Sequence, residues 1–388
     1  MKIAIIGGGP SGLYLGILLR RRAPGWHVEV IEQNAADATF GFGVVLADTG
    51  LQQLRQADEA SFAAMTAAMR YNDRQTIVHN ETPIEVTRQG RGGAIERLQL
   101  LTVLRAQAED AGVRMRFGCR IDASAHLSRF GLADADVVVG ADGVNSMLRG
   151  EFEDRFGTTR RLLSNHFAWY GTRRVFETPA LVFRKHHGGH FVAHYYPYSA
   201  TMSTFVAECD ELTWQRCGLA AMTDEQRQHL FEQLFAGELQ GKPLLSNNSV
   251  WRQFPVIRNR HWSHGRYVLI GDALASAHFS IGSGTRIAMT DAIALAEALL
   301  AEAPDVPAAL RRYERRHAPE KRKLIEASER SFEWYERIAE WMDRYTPEAF
   351  VYHFMTRTGR VDDARLRRAF PDLMKRLQAA GVPGEATS

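Results

Sequence analysis

The chain opens with an apolar strand that runs directly into a glycine turn, and this opening constrains the fold more than any other stretch. Ile3–Ile6 is followed by Gly-Gly-Gly-Pro-Ser-Gly at residues 7–12, and a helix with leucines at helical spacing is expected from about Ser11. Gly7 permits a tight turn, Gly9 lets the backbone approach a pyrophosphate, and Gly12 lets the helix pack closely on the strand. The opening therefore predicts a βαβ unit whose helix N-terminus binds the phosphates of a dinucleotide.

Carboxylates end the later apolar strands. Glu32 ends the strand Val28–Ile31, where it can accept hydrogen bonds from adenosine ribose hydroxyls and argues against a 2′-phosphate. Two further apolar runs lead into Asp142-Gly143 and Gly271-Asp272. Because open α/β sheets bind ligands at the carboxyl ends of their strands, both aspartates are expected beside the first turn. An NAD dehydrogenase needs neither later motif, so the three together predict FAD, although each aspartate taken singly also fits a solvated turn.

The third motif leads into a second glycine-rich helix start. Asp272 is expected to accept a hydrogen bond from a ribityl hydroxyl of FAD. After it, Gly282, Gly284 and Thr285 open a long helix expected from Arg286 to about Ala301. The unpaired amides at the N-terminus of that helix can face the flavin ring.

With these motifs the chain resembles the single-component aromatic hydroxylases of the para-hydroxybenzoate hydroxylase type, from Met1 to about Leu373. The resemblance is closer to two enzyme types: salicylyl-CoA 5-hydroxylase with its aminobenzoyl-CoA relatives, and the violacein-pathway hydroxylase of an indole. The segments that carry it are Phe40–Val45, Trp169–Thr172, Ser203–Cys209 and His278–Thr285.

The two enzyme types are each favoured by part of the chain. Phe354-Met355-Thr356-Arg357 is more similar to the thioester-hydroxylating type, whereas Trp169–Thr172 and the segment after Asp272 are more similar to the indole type. The chain departs from the wider family at Ala275 and Ser280, where many members carry a histidine and a proline. Neither change bears on FAD binding, but both weaken the transfer of a detailed mechanism.

Together the motifs predict an α/β fold with a Rossmann-like FAD-binding domain, a discontinuous antiparallel-sheet substrate domain and C-terminal helices. The FAD-binding domain is expected at residues 1–70, 95–160 and 260–310, and the substrate domain at 71–94 and 163–258. The C-terminal helical region is expected at 311–388, with helix after Pro319. His186-His187-Gly188-Gly189 predicts a hairpin within the substrate domain.

Arg97 begins an amphipathic helix that continues through Leu101 and Leu104. The resembling enzymes carry an arginine at this position near the flavin pyrophosphate, and a guanidinium is a natural bidentate partner for a diphosphate. A surface arginine at a helix start is the alternative.

Catalytic residues are harder to assign. Alternation along a strand places His194, Tyr196 and Tyr198 on one face. His194 and Tyr196 match a His-x-Tyr pair in the resembling enzymes and can bind the substrate's ring substituent, with His194 accepting its proton. An aromatic face that packs on the domain core is the alternative. His278, next to the flavin-facing loop, is the other catalytic candidate, with a core or backbone-capping histidine as its alternative.

Composition is that of an ordinary globular enzyme, with 45% hydrophobic and 24% charged residues. No apolar run approaches the ~20 residues of a membrane span, and the first residues already form a core strand, so no secretory signal is expected. The three cysteines fit no metal spacing and indicate a reducing cytoplasm. The cluster of histidines near residue 187 fits the hairpin better than a metal site. Basic residues are not interleaved with aromatics, so no nucleic-acid module is expected.

Residues 311–330 hold eight Arg or Lys against four Glu, although the net charge of the chain is only +3. A solvated helix face is the simpler interpretation. The alternative is a docking surface for an anionic carrier, such as the phosphates of CoA or of a phosphopantetheinyl protein.

The chain holds one dinucleotide fingerprint, so NADH or NADPH is expected to bind only transiently, as the reductant of FAD. The expected reaction is hydroxylation of an electron-rich aromatic ring with O₂ through a flavin hydroperoxide. In such a reaction the cofactor supplies the oxygen-transfer chemistry. The leading substrate is a hydroxy- or aminobenzoyl thioester on CoA or a carrier protein. An indole or tryptophan-derived metabolite is the alternative substrate. A flavin-binding protein that depends on a separate reductase is an alternative of another class.

Overall fold

The computed structural model describes residues 1–38, 41–46, 51–282 and 284–382, and at residues 88–91 it describes the backbone only. Phe40 and Ser283, which belong to two of the segments that carry the resemblance, lie outside the described residues.

Strands and helices alternate in the first part of the chain, and helices dominate the end. The strands within the described ranges are β1 (Lys2–Ile6), β2 (His27–Ile31), β3 (Gly43–Leu46), β4 (Arg70–His79), β5 (Thr82–Glu96), β6 (Arg114–Arg116), β7 (Val137–Gly140), β8 (Thr158–Thr172), β9 (Ala180–His186), β10 (Gly189–Pro197), β11 (Ser203–Cys209), β12 (Leu244–Leu245), β13 (Arg252–Asn259), β14 (Ser263–His264) and β15 (Tyr267–Leu269). The helices there are α1 (Pro10–Arg22), α2 (Leu51–Ala57), α3 (Glu59–Ala67), α4 (Arg97–Asp110), α5 (Met147–Glu151), α6 (Glu153–Phe156), α7 (Glu211–Arg216), α8 (Asp224–Leu234), α9 (Ala236–Leu239), α10 (Gly284–Glu302), α11 (Val306–Glu336), α12 (Ile338–Arg344), α13 (Pro347–Thr356), α14 (Asp363–Ala369) and α15 (Pro371–Ala379).

The first sheet has the strand order β14-β15-β7-β1-β2-β6, and all of its strands except β14 run parallel. Its central strands β1, β7 and β15 are largely apolar runs, as expected for a sheet that helices cover; Ile3, Ala4 and Ile5 of β1 are fully buried. Parallel strands end at the same side of a sheet. The glycine turn after β1, Glu32 after β2, Asp142 after β7 and Asp272 after β15 therefore lie along one side, which we call the carboxyl edge.

The second sheet has the order β12-β8-β11-β10-β9-β4-β5-β3, and β13 also pairs with β8. The predicted hairpin between β9 and β10 is confirmed, since His187 and Gly188 both have positive φ, 44° and 76°, as a two-residue hairpin turn requires. β4 and β5 extend this sheet, and so does β3, although β3 lies in the segment expected to belong to the FAD-binding domain. The domain boundaries stay a prediction.

The two sides of the second sheet pack against different helices. Phe191 and Tyr195 of β10 share a hydrophobic cluster with residues of α8 and α9. Val192, which points the other way, shares a cluster with residues of α11 and α13. Since side chains alternate along a strand, His194 and Tyr196 lie on the same side as Val192. We call this the helix-facing side of the second sheet.

The helix expected after Pro319 begins before that residue. α11 begins at Val306 and continues through Pro319 to Glu336. A proline inside a helix removes one hydrogen bond and costs about 3 kcal/mol. Buried residues at helical spacing continue on both sides of the proline, from Tyr313 to Leu324, and α11 packs against α10. The burial of that face stabilises one helix across the proline.

In the part of the chain that the structure describes, no helix has both the length and the apolar character needed to cross a membrane.

Candidate active site

The glycine turn after β1 is too tightly packed for a side chain at two of its positions. A Cβ on Gly7 would lie 2.3 Å from the carbonyl oxygen of Ala141, and one on Gly12 would lie 2.1 Å from that of Gly7. Gly7 also has a φ of 110°, which other residues rarely adopt. By contrast, no atom lies within 4 Å of a Cβ placed on Gly9. The turn therefore leaves open space at Gly9, where the backbone is expected to approach a pyrophosphate.

Glu32 is bound to the same turn. One of its carboxylate oxygens accepts a hydrogen bond from the backbone N–H of Gly8 at 2.7 Å. The other accepts from the backbone and side-chain nitrogens of Asn34 at 2.8 and 2.7 Å. A carboxylate offers about four acceptor positions, so capacity for a ribose hydroxyl is left. Glu32 holds the shape of the turn and can still bind a nucleotide.

Asp142 uses only one of its two carboxylate oxygens. Oδ2 accepts from the N–H of Met147 at 2.7 Å, in the first turn of α5. Oδ1 is buried without a hydrogen-bond partner among the described residues. Burial raises the pKa of Asp142 above its ordinary value. A buried acceptor without a donor is costly and marks a place where a bound group is expected to supply one.

Asp272 lies in the short turn Gly271–Ala273 that follows β15. The residue is exposed, yet enough protein surrounds it that burial raises the pKa of Asp272, while the positive charges of Lys321 and Arg97 act in the opposite direction. An accessible carboxylate in such surroundings can accept a hydrogen bond from a bound ligand.

Arg97 is half-buried and has no hydrogen bond or ion pair through its side chain with any residue in the described ranges. Burial lowers the pKa of Arg97, and the charge of Asp272 opposes this change. Its neighbours Glu96 and Leu98 line a cavity of about 400 Å³ together with Phe42 and Met202. A guanidinium whose donors are unused suits a diphosphate. With the open Gly9 and the orphan oxygen of Asp142, this arrangement fits FAD.

The glycine turn after β1 and the Gly271-Asp272 motif lie in contact. A Cβ on Gly271, which has a φ of 63°, would lie 3.1 Å from the hydroxyl oxygen of Ser11. Gly282, with a φ of 58°, ends the short turn Phe279–Ile281 before α10. α10 begins at Gly284, and half-buried Thr285 follows in its first turn. The first amides of α10 have no partner inside the helix and are available to a ligand.

A buried ionic cluster binds the backbone of the carboxyl edge at Gly271. This cluster was not predicted from the sequence. Asp291 of α10 is fully buried and accepts hydrogen bonds from the N–H of Gly271 at 2.8 Å, from Nε2 of His317 at 2.8 Å and from Nζ of Lys321 at 2.6 Å. Burial alone would raise the pKa of Asp291, but Lys321 and His317 hold it below its ordinary value. The available signal was an acidic residue on an otherwise apolar helix face.

His194 and Tyr196 differ in how their polar atoms are used. His194 is half-buried and forms no hydrogen bond with the described part of the chain. Burial, with a smaller effect of the Arg357 charge, lowers the pKa of His194 to about 4. Tyr196 is buried, and its hydroxyl donates to the carbonyl oxygen of Gly43 at 2.8 Å. His194 is thus free to bind a ligand, whereas Tyr196 holds β3 in place; the catalytic role of each stays a prediction.

His278 caps its own loop. It is 3% exposed, and its Nδ1 lies 3.3 Å from the N–H of Ser280, from which it accepts a hydrogen bond. Its backbone N–H donates to Ser328 of α11 at 2.9 Å. Burial and the nearby Arg357 lower the pKa of His278 to about 3. The imidazole is therefore neutral and structural at Nδ1, and a catalytic role stays a prediction.

The sequence of this chain matches a known family model, described as FAD binding domain, over residues 1–328. The chain belongs to this FAD-binding family. Salicyloyl-CoA 5-hydroxylase of a Streptomyces species is 39% identical over 372 residues, covering 92% of this chain and 70% of the relative. Protodeoxyviolaceinate monooxygenase of Chromobacterium violaceum is 36% identical over 383 residues, covering 97% of each. The fold is similar to that of 2-methyl-3-hydroxypyridine-5-carboxylic acid oxygenase, with a TM-score of 0.70, 18% identity, and coverage of 94% of this chain and 95% of that structure.

These findings confirm the predicted family, the α/β fold class, FAD as the cofactor and the enzyme class. The protein is an FAD-dependent monooxygenase of aromatic compounds.

Two further polar groups of this FAD-dependent monooxygenase lie on the helix-facing side, within segments that carried the resemblance. Trp169 lies in register with Val206, which is itself opposite His194, and its buried Nε1 has no partner among the described residues. Glu208 is 2% exposed and accepts a hydrogen bond from Nδ2 of Asn165 at 3.0 Å. Burial raises the pKa of Glu208 to about 8. Their residue types alone gave no sign of these roles.

Proposed function

We propose that this enzyme hydroxylates a hydroxy- or aminobenzoyl group carried as a thioester on CoA or a carrier protein, with O₂ and with NADH or NADPH as a transient reductant. The observation that carries the proposal is the pair of unpartnered polar groups, His194 and Nε1 of Trp169, on the helix-facing side of the second sheet. Each of these two residues lies next to an aromatic residue along its strand. They suit a flat ring with a polar substituent.

FAD, when bound, supplies the oxygen-transfer chemistry. Arg97 would bind its diphosphate, Glu32 and Asp272 its hydroxyls, and the amides at the start of α10 its flavin ring. Phe279, in the turn before α10, packs against Phe167 with ring centroids 4.7 Å apart, and this aromatic pair would help to exclude water from the site.

His194 raises the electron density of the substrate ring. With its pKa lowered to about 4, the imidazole is uncharged near pH 7 and can accept a hydrogen bond from a ring hydroxyl or amine. A ring whose substituent donates such a hydrogen bond is more electron-rich and reacts more readily with an electrophilic oxygen. A bare benzene ring offers no such proton, so the site favours phenols and anilines.

The tethered form of the substrate is supported by the similarity to salicyloyl-CoA 5-hydroxylase and by exposed cations on α11. Exposed basic residues there are Arg311, Arg315, Arg316, Arg322, Lys323 and Arg330. Lys321 is instead part of the Asp291 cluster, and Arg312 pairs with Glu302 at 2.9 Å. The exposed cations suit the phosphates of a carrier. The free thiols of the three cysteines support a cytoplasmic location.

An indole or tryptophan-derived metabolite is the second candidate substrate. It is favoured by the similarity to protodeoxyviolaceinate monooxygenase, which extends over 97% of both chains. Trp169 and His194 also suit the ring N–H and the flat surface of an indole.

The test is oxidation of NADH and NADPH by the purified, FAD-loaded chain, with product mass, against salicylyl-CoA, 2-aminobenzoyl-CoA, their free acids, tryptophan and an indole dimer. Stimulated oxidation with a product heavier by one oxygen atom on a thioester alone is the expected result. Turnover of an indole, without turnover of any thioester, would instead support the second candidate substrate. No NAD(P)H oxidation with any compound, but turnover once a flavin reductase is added, would make the protein dependent on a separate reductase.

A further inference from the structure

Arg357 ties the C-terminal helices to the loop in front of α10. It follows the last residue of α13, and its guanidinium donates three hydrogen bonds: Nε to the hydroxyl of Ser331 at 3.0 Å, one terminal nitrogen to the carbonyl oxygen of Phe354 at 2.7 Å and the other to that of Ser280 at 2.8 Å. Its charge also lies 3.8 Å from the centre of the Phe354 ring. One side chain thus fixes α11, α13 and the flavin-side loop together.

The hydrogen bonds continue from Arg357 to His278. Ser331 and Ser280 hydroxyls lie 2.8 Å apart, and the Ser280 hydroxyl lies 2.8 Å from Nδ1 of His278. Because the N–H of Ser280 also donates to Nδ1, we assign the ring hydrogen to Nε2. The hydroxyls then donate in one direction, from Ser331 to Ser280 to His278. We call these four residues the Arg357 cluster.

The Arg357 cluster has N–H donors that no described residue uses. A guanidinium has five N–H bonds, and three of those of Arg357 are used, so two have no acceptor within the described ranges. Nε2–H of His278 has no acceptor there either. Burial lowers the pKa of Arg357, which is the effect of surroundings that offer its charge little water. Unused donors of this kind are available to an acceptor oxygen of a ligand.

The strand register provides an acceptor on the same side of the second sheet. His194 and Trp169 lie on that side, each opposite Val206, and the ring centre of Trp169 is 6.0 Å from that of Phe279, the residue after His278. Neutral His194 can accept a hydrogen bond, whereas Arg357 and His278 can only donate in this arrangement. A 2-hydroxy- or 2-aminobenzoyl group has the complementary pattern: a donor on the ring and a carbonyl oxygen on the adjacent carbon.

We propose that Arg357, together with Nε2–H of His278, binds the carbonyl oxygen of the substrate's thioester and so selects ortho-substituted benzoyl substrates. The inference rests on the proposed function and adds to it the group that the enzyme recognises. A merely structural Arg357 would stabilise the junction of α11, α13 and the loop but would not distinguish ligands that differ at the carbonyl.

The test compares two ligands that differ at that oxygen. They are salicylyl-CoA and its thioether analogue, in which a CH₂ group replaces the carbonyl, each titrated calorimetrically into FAD-loaded protein without NAD(P)H. Because hydrogen bonds to charged groups are among the strong ones, wild-type protein is expected to bind the thioester about 10- to 100-fold more tightly than the thioether. In Arg357→Gln the two affinities are expected to agree within about threefold.

Arg360→Gln is the matched control, since this exposed arginine lies three residues after Arg357. It should keep the wild-type preference. If Arg357→Gln loses FAD or fails to fold, Arg357→Lys keeps the charge and is expected to retain only part of the preference.

An equal preference for the thioester in wild type and Arg357→Gln, or none in wild type, would overturn the inference while leaving hydroxylation of thioesters intact. Failure of the proposed function appears differently, as an absence of thioester hydroxylation in the substrate panel, and it would remove the inference as well.

Discussion

The carboxyl edge of the first sheet and the helix-facing side of the second sheet build their parts of the site in different ways. At the carboxyl edge, the chemistry comes from strand ends: glycine backbones, helix amides, and carboxylates within a residue or two of a buried strand. On the helix-facing side it comes from side chains that meet across long sequence separations, such as Arg357 and Ser280, 77 residues apart. A backbone site leaves a short motif in the sequence, and a side-chain site does not.

The two regions also differ in how their polar groups are supported. Gly271 at the carboxyl edge is fixed by Asp291, whose own charge is balanced by His317 and Lys321. On the helix-facing side, His194 and Nε1 of Trp169 have no partner in the described part of the chain. The first region is complete as a framework, while the second keeps its polar groups for a substrate. Substitutions should therefore affect stability at the first and selectivity at the second.

The largest effect is expected from removing Asp291. In Asp291→Ala the buried charge of Lys321 loses its partner and the N–H of Gly271 loses its acceptor, so the free energy of unfolding should fall by about 3–5 kcal/mol. FAD affinity should fall as well, because Gly271 positions Asp272. Denaturant unfolding of the FAD-free protein and FAD titration measure the two effects.

The exposed Arg55–Glu59 pair gives the control for Asp291, since Glu59→Ala should change neither quantity appreciably. A stability loss for Asp291→Ala as small as that of Glu59→Ala would mean that the buried cluster does not support the carboxyl edge.

Two glycines of the turn after β1 are expected to have different roles, Gly7 in the stability of the fold and Gly9 in FAD binding. In Gly7→Ala the new methyl group meets the backbone of Ala141, so the FAD-free protein should lose about 3 kcal/mol. Gly9→Ala meets no protein atom and should change the stability of the FAD-free protein by no more than about 1 kcal/mol, yet weaken FAD binding at least about tenfold.

Gly25→Ala, at an exposed glycine with no neighbour within 4 Å, is the control and should change neither stability nor FAD binding. Unaltered FAD affinity in Gly9→Ala would show that the phosphates do not approach the turn at Gly9.

The same contrast explains which parts were predictable from the sequence. Gly7, Glu32 and Asp272 were predictable because their roles depend on a strand end and its next few residues. The Asp291 cluster and Arg357 were not, because their contacts depend on how α10, α11 and α13 pack. The continuation of α11 through Pro319 was not predictable for the same reason, since the buried face of α11 outweighs the local effect of a proline.

On the helix-facing side, His194→Ala should affect the reaction rather than the framework. If His194 accepts a hydrogen bond from the ring substituent of the substrate, the product formed per NAD(P)H oxidised should fall by about tenfold, while NAD(P)H-driven flavin reduction changes by no more than about threefold. Stopped-flow reduction and product analysis measure the two steps. His190→Ala, on the same side of β10 and paired with Asp343 at 3.0 Å, is the control. An equal loss of both steps in His194→Ala would remove His194 from a substrate role.

The smallest effect concerns Glu208 and the pH dependence of stability. Burial, together with the charge of Glu336, raises the pKa of Glu208 to about 8 from an ordinary value of 4.5, although Asn165 opposes the change. Between these two values the folded protein keeps the proton that the unfolded chain has lost. This contribution to stability is complete below pH 4.5 and is lost as the pH rises toward 8.

Glu208→Gln, which cannot ionise, should therefore differ little from wild type at pH 5 and become more stable than wild type by about 1–3 kcal/mol at pH 8. Denaturant unfolding of the FAD-free proteins across this range measures the difference. Glu81→Gln is the control, since Arg184 lowers the pKa of Glu81 and no ionisation change is expected above pH 5. A constant difference between Glu208→Gln and wild type would mean that Glu208 is ionised in the folded protein. The helix-facing side would then hold a buried negative charge whose described hydrogen-bond donor is the amide of Asn165.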